Sequence, residues 1–183
     1  MINWNRLLNN LNQNNMAANS NQQVVKDLAN KRITITRNFE ASVEMVWDMW
    51  TRAEMLDLWW APKPWRAETK SQSFKPGGKW IYSMVGPEGE RHWSVVEYGK
   101  IDRQKSFEGL DAFSDENGDI NNEMPRTNWR VTFDKIANGT KVVITITATE
   151  SAHLEKLMEM GFEQGISMAM DYLDEYLKTH TNA

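Results

Sequence analysis

From residue 65 to residue 149 the sequence reads as six strands in succession, near 65–74, 79–85, 92–101, 106–113, 127–136 and 141–149. Turn chemistry separates them: Pro76-Gly77-Gly78, Gly86-Pro87-Glu88-Gly89, the polar loop 114–125 and Asn138-Gly139. Such a run predicts an antiparallel meander. Side chains alternate across a strand, so Trp80, Tyr82 and Met84 share a face, as do Trp129, Val131 and Phe133, and Val142, Ile144, Ile146 and Ala148. These faces are predicted to look inward, and a one-sided apolar sheet needs a cover. The cover follows in the chain: Phe162, Ile166, Ala169, Leu173 and Leu177 make a continuous stripe on a helix from about 162 to 178. Glu163, Ser167, Asp171, Asp174 and Lys178 are predicted to form its wet face.

Upstream, Ile33, Ile35 and Phe39 alternate with Thr34, Thr36 and Asn38, which predicts a half-buried first strand from Lys31. The period then changes. Ser42 is a good N-cap for a short helix whose inner face is Val43, Val46, Trp47 and Trp50. Thr51-Arg52-Ala53-Glu54 reads as a capping box for a second helix, with Met55, Leu58 and Trp59 inward, ended by Pro62 and Pro64. Ser151 is predicted to cap a third short helix, to about Met160. The fold class expected is therefore α+β: about seven antiparallel strands around a long C-terminal helix, with two short helices after strand one. Residues 1–30 carry ten Asn and three Gln, with Arg6, Lys26 and Asp27 their only charges, so they are expected to be a flexible tail. Trp4, Leu7, Leu8 and Leu11 allow one short amphipathic turn there.

The remainder, 31–183, is one domain's worth of chain, and 40% of the sequence is apolar. A formal charge of -4 is the wrong sign for neutralising phosphates, so nucleic acid is not an expected partner. The absence of Cys rules out disulfides, thiolate metal sites and a Cys nucleophile. No apolar run approaches 18 residues and no secretory signal opens the chain, so a cytoplasmic location without a membrane span is expected. Nine Trp and 11 Met suit an irregular, hollow interior.

Several motifs fail as chemistry. Asp115-x-Asn117-x-Asp119 starts like a calcium loop but has Ile120 where Gly is needed and Arg126 where the bidentate Glu should stand. His92, His153 and His180 are scattered, so no metal site is predicted. The one credible catalytic set is His92 with Glu97, Glu108 and Asp111, yet strand parity puts His92 and Glu97 on opposite faces. No catalytic residue and no cofactor are assigned. A second stripe on the last helix, Gly161, Gly165, Met168, Tyr172 and Tyr176, admits two readings: close helix-to-sheet packing, or room for a ligand.

These pieces resemble a known superfamily, the helix-grip fold, also called START-like or SRPBCC. Ile35-Thr36-Arg37 with Phe39-x-Ala41, Val46-Trp47-x-x-Trp50-Thr51, Trp59-Trp60-x-Pro62 and Phe74-x-Pro76-Gly77-Gly78-x-Trp80 resemble its branch of heat-shock chaperone ATPase activator (Aha-type) domains. Met84-x-Gly86-Pro87-x-Gly89, Gly139-Thr140 and Gly161-Phe162-x-x-Gly165 leading to Leu173-x-x-Tyr176-Leu177 extend the likeness over about residues 33–178. Ser42 and Ala61 depart from that branch, which often has Pro and Gly there. The resemblance implies a cavity between sheet and long helix that binds a small hydrophobic or aromatic ligand without chemistry of its own. Its walls are expected from Trp47 of the first short helix and from Trp80, Tyr82, Trp93 and Trp129 of the strands. Phe162, Gly165, Met168 and Tyr172 are expected from the helix, with His92 and Asp111 orienting the ligand. A module binding a chaperone or signalling protein is the second reading, and a cyclase-like or hydrolytic enzyme the third.

Overall fold

The computed structural model describes residues 22–180. Its strands are β1 (Gln22–Asp27), β2 (Arg32–Phe39), β3 (Arg66–Gln72), β4 (Lys79–Val85), β5 (Arg91–Asp102), β6 (Ser106–Phe113), β7 (Arg126–Ile136) and β8 (Gly139–Thr147). The helices are α1 (Val43–Thr51), α2 (Ala53–Trp59), α3 (Ser151–Glu159) and α4 (Phe162–His180). All eight strands join one antiparallel sheet in the order β1-β2-β8-β7-β6-β5-β4-β3, so β3 to β8 form the meander and β2 closes onto β8. The helix-grip architecture follows: one sheet, with the helices against a single face.

That face is the apolar one. Ile33, Ile35 and Phe39 of β2, Val131 and Phe133 of β7, and Val142, Ile144 and Ile146 of β8 are buried against Val46, Trp47 and Trp50 of α1 and Leu56 and Trp59 of α2. Ile166, Ala169, Leu173 and Leu177 of α4 complete the core, each large side chain contributing roughly 1.5–3 kcal/mol by leaving water. Ser42 caps α1 by accepting from the Met45 N–H at 3.2 Å. Gly161, at φ 84°, ends α3 in the left-handed region that glycine tolerates, and this sets the direction in which α4 departs.

The structure corrects four readings. The sheet has eight strands, because Gln22–Asp27 lies inside the supposed tail yet pairs with β2, Val24 opposite Ile35. An edge strand needs only backbone pairing on one side, so its sequence carries little apolar signal. Gln22 Nε2 also donates to Ser167 Oγ at 2.6 Å, and Lys26 pairs with Glu163, both on α4. The tail and the Trp4, Leu7, Leu8 and Leu11 turn expected for residues 1–21 lie outside the described residues. The capping box does not form: Thr51 ends α1 with its hydroxyl donating to the Trp47 carbonyl at 2.8 Å, and Arg52 stands at the N-cap of α2 without a side-chain capping hydrogen bond, its guanidinium donating to Glu54 instead. In α2 Leu56 is the buried leucine and Leu58 is 52% exposed. Finally, Asp174 is buried, because Arg37 of β2 is itself 1% exposed and reaches α4, 2.7 Å from Asp171 and 3.6 Å from Asp174.

Candidate functional site

Toward the start of α4 the two layers separate. The inward positions of β4 to β7 are in register there: Tyr82 faces Ser94, Met84 faces His92, Ser94 faces Phe113 and Asp111 faces Thr127. Above them stand Trp60 and Pro62, which follow α2, and Met160, Phe162 and Gly165 around the α3–α4 junction. Together these groups line a partly open cavity of about 110 Å³. Gly165 decides between the two readings of the glycine stripe. A Cβ built on it meets nothing within 4 Å, so the glycine fronts open space and makes no close helix-to-sheet contact.

The walls are largely aromatic. The Trp60 ring lies 5.4 Å from Trp80, 6.3 Å from Tyr82 and 5.9 Å from Trp129, and Phe162 meets Trp129 edge-on at 5.9 Å. Trp129 is fixed by its indole N–H, which donates to Thr127 Oγ1 at 3.0 Å. A second, smaller cavity of about 30 Å³ lies deeper, bounded by Trp50, Trp60, Trp80 and Asp111 among others.

Asp111 is the unusual group. It borders both cavities, its Oδ1 has no accessible surface, and nothing among the described residues donates to that oxygen. Burial pushes its carboxyl up to about 7. Burial likewise raises the Tyr82 phenol, and the nearby Asp111 charge adds to the effect. His92 is shifted the other way, downward, chiefly by desolvation, and its ring lies against Trp65 with centroids 5.5 Å apart. No hydrogen bond joins His92 to Asp111 among the described residues. Glu97 pairs with Lys79 at 2.7 Å and Glu108 pairs with Arg130, both from outward positions. The bulge in β5 falls between Tyr98 and Ile101, beyond Glu97, so it does not bring Glu97 round to the His92 face. His92 and Asp111 thus line one cavity without being hydrogen-bonded to each other among the described residues.

Of the residues expected to form the site, Tyr82, His92, Asp111, Trp129, Phe162 and Gly165 line the larger cavity. Trp80 stacks behind Tyr82 at 4.0 Å and borders only the deeper one. Trp47 is core, edge-on to Phe74, Phe107 and Phe133. Trp93 alternates to the opposite face of the sheet from His92 and Ser94, with Lys70 Nζ 5.7 Å from its ring. Met168 does not line the cavity, and Tyr172 lies outside it because seven residues of helix separate it from Gly165, a rise of about 10 Å; Tyr172 instead receives Lys63 Nζ at 4.7 Å. Sequence reasoning missed Trp60, Ser94 and Phe113. The last two share strand parity with His92 and Asp111, which was legible; Trp60 follows the end of α2, where no period applies.

Among the described residues no three His, Cys, Asp or Glu side chains gather as a metal site would require, and no helix is long and apolar enough to cross a membrane.

The family model described as Activator of Hsp90 ATPase homolog 1-like protein matches residues 40–178. The crystal structure of a Mycobacterium smegmatis protein is similar at 29% identity and a TM-score of 0.78, covering 86% of this chain and 97% of that one. The solution structure of an Arthrobacter aurescens protein is similar at 30% identity and a TM-score of 0.81, covering 86% and 91%. A Nitrosomonas europaea crystal structure shares the fold at 22% identity and a TM-score of 0.73, covering 85% and 99%. No curated protein matches significantly.

Proposed function

For a chain that belongs to the family of Activator of Hsp90 ATPase homolog 1-like proteins, we propose the binding of a small hydrophobic or aromatic ligand in the cavity between β4–β7 and α4, without chemistry of its own. The observation that carries this reading is Gly165, whose missing side chain opens onto aromatic walls. Glycine inside a helix costs up to roughly 1 kcal/mol relative to Ala, so a glycine in the first turn of α4 whose added Cβ would meet nothing calls for a reason other than close packing. Size narrows the ligand. A cavity of about 110 Å³ is smaller than the roughly 300 Å³ or more usual for ligand sites, because Trp60, Trp129 and Phe162 occupy that space themselves. An apolar cavity of roughly 150 Å³ holds a benzene molecule, so a single ring is the scale here, and a long acyl chain is not.

Native mass spectrometry of freshly purified protein tests the reading: a co-purified mass in the range of one-ring compounds supports it. A one-ring aromatic added in excess should also quench Trp emission saturably in the native protein and fail to do so in Gly165→Leu. Quenching that survives the leucine would place the ligand elsewhere. A second reading, docking on a chaperone, draws on the family's name and on the exposed Leu58 of α2; binding of the chaperone that Leu58→Glu abolishes and Gly165→Leu spares would favour it.

A further inference from the structure

A cavity built only to hold hydrocarbon would carry no ionisable group in its wall, yet Asp111 is one. Its Oδ1 is sealed from solvent and lacks a donor among the described residues. Thr127, opposite it in the β6–β7 register, accepts from the Trp129 indole and makes no hydrogen bond to Asp111 Oδ1. No lysine or arginine lines the cavity among the described residues, so with His92 neutral nothing there offsets a negative charge. Trp60, Tyr82, Trp129 and Phe162 line the same cavity as the carboxyl, and aromatic faces attract cations.

Resting on the ligand-binding reading above, we infer that the cavity selects a one-ring aromatic amine in its protonated form, its ammonium N–H groups directed at Asp111 and its ring among the Trp60, Trp129 and Phe162 side chains. Charge complementarity excludes the alternatives. An aromatic carboxylate would bring a second anion to a buried carboxyl that has no cationic neighbour. A neutral ring of the same size fills the space but leaves the ionised Asp111 carboxylate without a counter-charge. The ammonium supplies that charge.

Binding should depend on pH. The titratable groups facing the cavity are Asp111 on β6, Tyr82 on β4 and His92 on β5, and the α4 residues that line it carry none. Tyr82 stays neutral through the neutral range because burial raises its phenol. With the Asp111 carboxyl at about 7, the ionised fraction rises roughly tenfold from pH 6 to pH 8, and affinity for a cation rises by about the same factor. A protonated His92 would repel the cation at the acid end and steepen the same trend, so His92→Ala is needed to isolate the Asp111 contribution.

The test is a calorimetric titration of the full chain with benzylamine, benzyl alcohol and benzoate at pH 6 and pH 8. The inference predicts benzylamine tightest and benzoate without measurable binding at pH 8, and benzylamine roughly tenfold tighter at pH 8 than at pH 6 in both the native protein and His92→Ala. Asp111→Asn, with its fold checked by near-ultraviolet circular dichroism, should lose the benzylamine preference and the pH dependence while keeping benzyl alcohol. Should that variant fail to fold, the pH dependence of the native protein and of His92→Ala still decides. Benzyl alcohol or benzoate binding at least as tightly as benzylamine overturns the inference and leaves the ligand-binding reading standing. No binding by any of the three overturns both.

Discussion

Asp111 sets a stability cost as well as a binding preference. Its carboxyl sits at about 7 in the folded protein against an ordinary value of 3.8, so between these pH values the folded state holds a proton that the unfolded state has lost. Stability therefore falls as pH rises from about 4 to about 7, and above that range the ionised carboxyl costs on the order of 4 kcal/mol. Asp111→Asn should match the native protein near pH 4 and exceed it at pH 8; urea midpoints for the pair at both pH values check this. Arg37 has the opposite sign. It is buried under α4 against Asp171 and Asp174 and lies 5.6 Å from the Phe39 ring centroid. Arg37→Ala would strip Asp174 of one of its two cations, the other being Lys178 at 2.8 Å, and should cost about 3–5 kcal/mol in denaturant unfolding. Arg37 has the same strand parity as Ile33, Ile35 and Phe39, so its inward direction was readable. Its partners on α4 were not, since no local pattern reports a contact between a strand and a helix more than a hundred residues later.

At the scale of elements, α4 is where packing and function separate. Gly165→Ala places a methyl group in open space and removes the glycine's helix penalty, so it should raise stability by up to about 1 kcal/mol, read as a shift in thermal midpoint. Gly165→Leu should fill the cavity instead. The meander and the α4 stripe were legible because each depends on a period within one segment, as with Ile144 and Ile146 or Leu173 and Leu177. β1 was not, because Gln-Gln-Val-Val-Lys-Asp gains its order from the β2 edge it covers and has no pattern of its own. Deleting residues 1–30 should consequently lower stability and promote association, since it removes the β1 ladder, the Gln22–Ser167 and Lys26–Glu163 links, and the cover on the β2 edge. A truncation whose thermal midpoint and sedimentation match the full chain would contradict that placement of β1.

For the whole molecule, one sheet face carries two jobs along its length. Between β2, β7, β8 and α4 it is a solid core, and from β4 to β7 beside the start of α4 it stays open around Asp111. The sequence signals for both are the same, aromatic residues at inward strand positions, so composition pointed to a hollow interior without saying which rings fill it and which enclose it. Strand alternation already sets Trp93 on the outer face, but only the three-dimensional arrangement separates Trp47, in the core, from Trp60 and Trp129 at the cavity. The indole N–H resonances make that separation measurable. In a ¹⁵N nuclear magnetic resonance titration with benzylamine at pH 8, the cavity account predicts saturable shifts at the Trp60 and Trp129 indoles, with Trp47 and Trp93 unmoved. No saturable shift, or shifts centred on Trp93, would contradict it.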